Sequence, residues 1–229
     1  MLPSSMAFRT ILLLSFIVVT GCASNEIVKK ESFSGYLPDY SKLQPVELDS
    51  NRVVLRWVNP ALKQRTYKQI IIDPVSFYQE RTQQKQLDSH VLKQIQQEID
   101  VKIINLAKTT KLALTTKSGP SVLRLQSTIA AIKMDRKDFS VRELIPIKLL
   151  IAAIEAAAGG RDYIVTVYFE YKLIDSTTNE IMAIGVRKGK ANTLANSKTK
   201  LTLNDMEDLL NDWEIDWETS MQSSPFKMK

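Results

Sequence analysis

The chain has 229 residues, 44 % of them hydrophobic and 24 % charged, and a formal net charge of +6 at pH 7. This length allows one or two domains and is sufficient for a real hydrophobic core. Cys22 is the only cysteine, which excludes an intramolecular disulfide, and the basic residues are scattered without a long run.

The start of the chain has the pattern of an export signal. Arg9 provides a positive charge, the apolar run Ile11–Val19 follows, and small residues end the run. Such a run would rise only about 14 Å as a helix, against a hydrocarbon core of about 30 Å, so it is too short for a transmembrane helix. We therefore expect residues 1–21 to be a signal peptide that starts at Met1 or Met6.

The end of this signal, Val19-Thr-Gly-Cys22, resembles the lipobox of bacterial lipoproteins. The resemblance implies cleavage before Cys22 and acylation of Cys22, palmitate included, so that several acyl chains hold the protein in a membrane. Ala23 and Ser24 follow where inner-membrane lipoproteins carry Asp, which favours the outer membrane, facing the periplasm. Acylation would leave no thiol for catalysis or metal binding, and an exported lipoprotein is not expected to bind nucleic acid.

The next segments lead from the membrane to the folded domain. Residues 22–32 are short and polar and predict a lipidated tether, and residues 33–229 predict the folded periplasmic domain. Phe33–Leu43 mixes aromatic residues with Gly35 and Pro38. We expect an irregular segment there, whose rings pack on another surface.

Two strands and one helix are predicted in the first half of the domain. Val53–Val58 is β-branched and aromatic, and Tyr67–Val75 contains three consecutive isoleucines, which indicates a strand covered on both faces. Asp88 and Ser89 are suitable caps for an amphipathic helix that extends to about Lys108. Its apolar residues recur every four positions: Leu87, Val91, Ile95, Ile99 and Ile103.

The middle of the chain predicts two more strands and an apolar segment. The strands are Leu112–Thr116 and Val122–Met134. Ile147–Ala158 consists of strong helix formers and predicts a helix that is either buried or docked on a membrane or a partner. One face of the second strand is expected to carry Leu123, Leu125 and Ile129.

A hairpin and a helix close the domain. Tyr163–Ile174 alternates in hydrophobicity and Ile181–Lys190 returns after a turn, which predicts an antiparallel hairpin with one wet face and an edge open to pairing. The basic group Arg187–Lys190 is expected at a solvated strand end. Thr202–Gln222 predicts a helix with an apolar stripe that packs in the core. On the second strand of the hairpin, one face is expected to carry Met182, Ile184 and Val186. The stripe of the helix contains Leu209, Leu210, Trp213, Trp217 and Met221.

These elements predict a single α+β domain with a mainly antiparallel sheet packed by two or three helices.

Four short sequence segments also resemble, in order and spacing, segments of one bacterial family: Ser34-Gly-Tyr-Leu-Pro-Asp-Tyr-Ser-Lys-Leu43, Tyr67-Lys-Gln-Ile-Ile-Ile-Asp-Pro-Val75, Gly119-Pro-Ser-Val-Leu-Arg-Leu125 and Asp175-Ser-Thr-Thr-Asn-Glu180. Together they resemble the lipoproteins of domain-of-unknown-function family 3313. The resemblance implies a small periplasmic domain on a lipid anchor and supplies no activity. Asn179 replaces the usual glycine of the family's turn, and asparagine tolerates the left-handed conformation.

Candidate catalytic residues are few. His90, the only histidine, lies at the polar start of the predicted helix, where a solvent-facing side chain is the simplest interpretation. Asp73 precedes Pro74 at a strand end, a position where ligands and catalytic groups often lie, although capping of the turn also explains it. No P-loop, glycine-rich dinucleotide motif or nucleophile elbow occurs in the sequence. We therefore expect no catalytic residue, no metal site and no cofactor.

The sequence thus predicts a non-catalytic, lipid-anchored envelope protein that binds a protein or glycan partner. The alternative is a periplasmic hydrolase that uses carboxylates such as Asp73. A polar pocket that gathers Asp73 with another acid or with His90 would favour the hydrolase, whereas an apolar groove would favour binding.

Overall fold

The fold is built on one mixed sheet, and its two long helices pack on one face of that sheet. The computed structural model describes residues 27–48, 50, 52–78, 89–136, 163–195 and 199–222. The strands are β1 (Gln44–Glu47), β2 (Val53–Val58), β3 (Gln69–Ile72), β4 (Ser76–Phe77), β5 (Ala113–Leu114), β6 (Val122–Arg136), β7 (Tyr163–Asp175) and β8 (Ile181–Lys190). The helices are α1 (Ala61–Gln64), α2 (Ser89–Thr109) and α3 (Glu207–Gln222), with short 3₁₀ turns at Lys30–Ser32 and Asn204–Met206. The predicted signal peptide, Cys22 and the segment 147–158 lie outside the described residues.

The strands follow the order β1–β2–β8–β7–β6–β3–β5 across the sheet, and β4 also pairs with β6. The long strands β6, β7 and β8 pair antiparallel, as do β8 with β2 and β2 with β1. β3 runs parallel to β5 and β6, and β4 runs parallel to β6. The predicted class, an α+β domain with a mainly antiparallel sheet and two or three helices, is confirmed.

The β7–β8 hairpin forms as predicted, but at the centre of the sheet. β7 pairs with both β6 and β8, and β8 pairs with both β7 and β2, so the expected open edge is wrong. The expected wet face is also wrong, because Thr166, Tyr168 and Glu170 are buried. Residues 28–43 cover this face with apolar side chains such as Leu37.

Glu170 fixes this N-terminal segment to the sheet. Its carboxylate accepts hydrogen bonds from the Tyr40 hydroxyl at 2.6 Å and from the Ser34 amide at 3.0 Å. Phe33 stacks on Tyr40 with ring centroids 4.3 Å apart, so the aromatic rings have the packing surface that the sequence predicts. Val28 is only 5 % exposed, and the packed chain therefore begins before the predicted boundary at residue 33.

Pro74 divides the predicted strand 67–75 into two. β3 pairs with β6 as far as Ile72, and the pairing resumes in β4. Proline has no amide hydrogen for the strand ladder, which explains the interruption. Ile70 and Ile71 are each 8 % exposed, so both faces of β3 are covered, as predicted.

α2 and α3 cover the face of the sheet opposite the N-terminal segment. α2 has the predicted bounds to within one residue and buries Ile95 and Ile99 completely. α3 places Trp213 in the same core cluster, so its stripe packs in the core as predicted. An ion pair of 2.6 Å joins Lys102 of α2 to Glu214 of α3. Among the described helices, none is long and apolar enough to cross a membrane.

A register shift changes which residues of β8 share a face. Met182 has no partner in the ladder with β7 and packs in the cluster beneath α1. Ile184 and Val186 instead face the N-terminal segment. The predicted common face is wrong for Met182, because one extra residue reverses the alternation of a strand. Asn179, in the turn before β8, has a φ of 58°, the left-handed conformation that the sequence predicts.

Candidate functional site

A cavity of about 380 Å³ lies between the sheet and the C-terminal halves of α2 and α3. Its floor is formed by β2, β3, β6, β7 and β8, and its walls include Ile103, Leu106 and Ala107 of α2 and Trp217 and Met221 of α3. The described lining residues are chiefly aliphatic, and none of them is Asp, Glu, His or Cys. Small-molecule sites have volumes of about 300–1,000 Å³, so this cavity is large enough for a small ligand.

One row of residues on the floor carries polar side chains. The strand register pairs Arg56 of β2 with Gly185 of β8, and Gly185 with Tyr171 of β7. It also pairs Tyr171 with Ser127 of β6. We call Arg56, Tyr171 and Ser127, which all line the cavity, the polar row. Gly185 is required at the centre, since a Cβ there would lie 2.3 Å from Cε1 of Tyr171.

The next row toward the hairpin turn is apolar. It consists of one residue from each of five neighbouring strands: Val58, Ala183, Leu173, Leu125 and Ile72. All five line the cavity. On the floor of the cavity, the polar row and Arg187 therefore lie on one side of this apolar row.

Burial alters the chemistry of the polar row. It raises the pKa of Tyr171, and the nearby charges of Arg56 and Arg187 oppose this change without cancelling it. The phenol is therefore neutral at physiological pH and can donate a hydrogen bond. Ser127 is 3 % exposed, and its hydroxyl has no hydrogen-bond partner among the described residues. A buried polar group left without a partner costs about 1–3 kcal/mol.

An ionic cluster lies beside the polar row and joins the sheet to α3. Asp216 of α3 is 1 % exposed and accepts hydrogen bonds from Arg187 Nη2 at 2.5 Å and Arg52 Nε at 2.9 Å. It also accepts one from the Ser50 hydroxyl at 2.6 Å. The Arg187 guanidinium lies over the Trp213 ring, 4.9 Å from its centroid. Side chains from β8, α3 and the β1–β2 loop thus meet at one carboxylate.

The charges in this cluster compensate one another. Burial lowers the pKa of Arg187 to about 10, although the charge and hydrogen bond of Asp216 act to raise it. The guanidinium is therefore protonated at neutral pH. Burial would raise the pKa of Asp216, but hydrogen bonds from Arg52 and Ser50 hold it below its usual value. The prediction of a solvated Arg187 is wrong, because this side chain is 4 % exposed beneath α3.

Asp73 lies on the face of the sheet opposite the cavity. Its neighbour Ile72 lines the cavity, and successive strand residues point to opposite faces. The Asp73 carboxylate accepts hydrogen bonds from Arg124 Nε at 2.8 Å and Gln126 Nε2 at 2.9 Å. Burial would raise the pKa of Asp73, but these two partners hold it below its usual value. Asp73 is therefore an ionised carboxylate that fixes the end of β3 to β6.

The other residues singled out in the sequence are not brought to the cavity. His90 has an exposed side chain in the first turn of α2 and does not line the cavity. Cys22 lies outside the described residues. Within the described part of the chain, no group of three or more His, Cys, Asp or Glu residues could hold a metal ion. The candidate site is therefore the cavity and not a cluster of titratable groups.

Sequence reasoning did not find the polar row. Alternation assigns Tyr171 to the correct face of its strand, but it does not indicate which residues of other strands lie beside it. Arg56 and Ser127 become neighbours of Tyr171 only through the strand register, which a single sequence does not specify. A charged residue inside the otherwise apolar strand Val53–Val58 is the one signal that indicates Arg56.

Comparison with known proteins relates the chain to lipoproteins. A protein-family model described as "Protein of unknown function (DUF3313)" matches residues 32–216. The uncharacterized lipoprotein YdcL of Escherichia coli strain K12 is 28 % identical over 204 residues, which are 89 % of this chain and 91 % of that protein. YdcL of E. coli O157:H7 has the same identity and coverage. A lipoprotein relative over this much of both chains implies lipid anchoring to a membrane of the cell envelope.

Solved structures resemble the chain only weakly. The PelC dodecamer from Paraburkholderia phytofirmans is 13 % identical, over 77 % of this chain and 97 % of that chain, with a TM-score of 0.35. The minor lipoprotein from Acinetobacter baumannii is 10 % identical, over 68 % of this chain and 87 % of that chain, with a TM-score of 0.29.

Proposed function

Because the chain belongs to the protein family of unknown function DUF3313 and has a lipoprotein relative in E. coli, we propose that it is a non-catalytic binding protein anchored in the outer membrane. In this proposal residues 1–21 are removed, acyl chains on Cys22 enter the membrane, and the folded domain faces the periplasm. The domain acts by binding an apolar ligand in the cavity beneath α2 and α3.

The apolar lining of the cavity is the observation that carries the proposal. Burial of apolar surface contributes about 25 cal/mol per Å², so a cavity of about 380 Å³ with aliphatic walls favours an apolar occupant. A glycan, one of the two partners that the sequence suggests, is less well suited. Each of its hydroxyl groups would need a hydrogen-bond partner once it left water, and the described floor offers few polar side chains, namely those of Arg56, Ser127, Tyr171 and Arg187. A protein partner would have to insert an apolar segment.

The state of Asp73 supports binding over hydrolysis. A carboxyl group that acts as a general acid needs a pKa close to the working pH and a position within reach of the substrate. Asp73 instead has a lowered pKa, is paired with Arg124, and lies on the opposite face of the sheet from the cavity. These properties fit a structural carboxylate.

Replacement of Cys22 by alanine is expected to move the protein from the membrane fraction to the soluble fraction. Cys22 is the only residue that can carry the acyl chains, and two or more chains are needed for stable anchoring. The measurement is fractionation of cells followed by immunoblotting. Ser24→Ala, a similarly small change two residues later, should stay with the membranes. A Cys22→Ala variant that still sediments with the outer membrane would rule out the lipid anchor.

Filling the cavity is expected to weaken binding of a neutral apolar probe. Ala183 lies in the apolar row, and Ala183→Leu would add three carbon atoms at the floor of the cavity. We expect labelling of the walls by a photoreactive dodecanol to fall about tenfold, which corresponds to about 1.4 kcal/mol. The full-length lipoprotein would be held in phosphatidylcholine nanodiscs, and the labelled peptides of α2 and α3 would be identified by mass spectrometry.

The matched control for this variant is Ala113→Leu, the same change at an exposed position of β5 outside the cavity. It should leave the labelling unchanged. Thermal unfolding would show that both variants are folded. If the walls are not labelled in the wild-type protein, or if Ala183→Leu is labelled as strongly as wild type, the cavity is not a binding site.

A further inference from the structure

We infer that the cavity binds a fatty acid, with its carboxylate at the polar row and its acyl chain along the apolar row. This inference rests on the proposed function and names the ligand of the same site. Three independent properties of the described lining support it: its charge, its unpaired hydrogen-bond donors, and its size.

The formal charges that line the cavity are all positive among the described residues. They belong to Arg56, Lys63 and Arg187. Asp216 neutralises Arg187, whereas Arg56 and Lys63 form no ion pair with the described residues. Lys63 is exposed to solvent, so the half-buried Arg56 is the cation that matters most for a ligand. A cation in a partly apolar site attracts an anion more strongly than the same cation in water does. The cavity therefore favours an anionic head group and disfavours a cationic one.

Hydrogen-bond donors in the cavity lack acceptors. The Ser127 hydroxyl and Arg187 Nε are buried and have no hydrogen-bond partner among the described residues, although both residues line the cavity. Tyr171, which is neutral, contributes a phenol between Arg56 and Ser127 in the polar row. An ionised carboxylate only accepts hydrogen bonds and can accept several at once, so it matches this set of donors. Guanidinium groups also bind carboxylates through two parallel hydrogen bonds.

The dimensions of the cavity fit one acyl chain. Its volume of about 380 Å³ is near the lower limit of small-molecule sites, about 300 Å³. The apolar row continues from β2 to β3 across five strands, which provides an elongated aliphatic surface beside the polar row. A fatty acid, with one acyl chain and one small anionic group, combines these features.

The test compares probes that have the same twelve-carbon alkyl chain and differ only in the head group. Photoreactive dodecanoate, dodecanol, dodecyl phosphate and dodecyltrimethylammonium would be added separately to the full-length lipoprotein in phosphatidylcholine nanodiscs. We expect dodecanoate to label the walls of the cavity at least about tenfold more than dodecyltrimethylammonium, because a hydrogen-bonded charge pair contributes about 1.5–3 kcal/mol. Dodecanol should give intermediate labelling.

Variants of Arg56 test whether the polar row binds the charged head group of the probe. Arg56→Gln should lower the labelling by dodecanoate about tenfold and leave that by dodecanol nearly unchanged, whereas Arg56→Lys should retain part of the preference. Lys117→Gln removes an exposed cation outside the cavity and should have no effect.

The outcomes separate this inference from the proposed function. If dodecanol labels the cavity as strongly as dodecanoate, the apolar site stands and the fatty-acid inference is wrong. If dodecyl phosphate labels it more strongly than dodecanoate, the ligand is a phosphate lipid and the inference is also wrong. If no probe labels the walls, both the inference and the proposed function fail.

Discussion

Replacing Asp216 by alanine is expected to lower the free energy of unfolding by about 3–5 kcal/mol, because it leaves a buried cation without its partner. Arg187 is 4 % exposed and pairs through Nη2 with the carboxylate of Asp216, and its Nε has no acceptor among the described residues. Arg52 and Ser50 lose the same acceptor. Equilibrium unfolding in urea at pH 7 measures the change.

The control for this variant lies one turn earlier on the same helix. Asp212 pairs with Arg52 at 3.0 Å, but its side chain is 53 % exposed. Exposed ion pairs contribute about 0–1 kcal/mol, so Asp212→Ala should have little effect. Equal losses for the two variants would show that burial of Asp216 is unimportant, and the proposed link between β8 and α3 would be wrong.

The same cluster predicts how stability depends on pH. The pKa of Asp216 is lower in the folded protein than its usual value, so the folded state binds the proton less well than the unfolded state does. This carboxylate therefore stabilises the fold fully above its unfolded pKa of about 3.9, and the contribution is lost as the pH falls through the lower, folded pKa. Wild-type protein should lose stability below about pH 4, and Asp216→Ala should lose less over the same interval.

Truncation of Trp213 is expected to lower the free energy of unfolding by about 3–5 kcal/mol. The ring is 1 % exposed and lies 5.4 Å from the Phe169 ring and 6.1 Å from the Trp217 ring, measured between centroids. Trp213→Ala would leave a cavity between α3 and β7 and would remove the aromatic surface beneath Arg187. Urea unfolding monitored by circular dichroism measures the loss without relying on tryptophan fluorescence.

Ile215 gives the comparison for Trp213 on the same helix. It is 54 % exposed, so Ile215→Ala should change stability by no more than about 0.5 kcal/mol. A small effect of Trp213→Ala, similar to that of Ile215→Ala, would mean that the stripe does not hold α3 to the sheet. The Trp stripe would then be better explained as a surface for a partner.

Two predictions that depend on short-range patterns are confirmed. The four-residue recurrence of Ile95, Ile99 and Ile103 sets which side of α2 is buried, whatever it packs against. The turn before β8 likewise depends on the local conformation of Asn179. Four short sequence segments distributed along the chain predict membership of family DUF3313. The match of the family model to residues 32–216 shows it.

Two of the predictions that fail depend on what lies beside an element. Alternation in β7 suggests a wet face because Thr166 and Glu170 are polar, yet residues 28–43 cover them and provide Glu170 with two hydrogen bonds. The basic composition of Arg187–Lys190 predicts a solvated Arg187. The ion pair with Asp216, which lies in a distant helix, instead compensates the cost of burying the Arg187 charge. Both of these errors concern a polar residue whose partner is remote in the sequence.

The sequence by itself determined the period of α2, the turn before β8, the α+β class and the family, because these depend on neighbouring residues and on composition. Only the tertiary structure decided which strands adjoin and in which register, since register depends on contacts between residues far apart in the chain. The polar row is the clearest case. Arg56, Tyr171 and Ser127 lie in three separate strands, and the pairing of β2, β8, β7 and β6 brings them together over one apolar cavity.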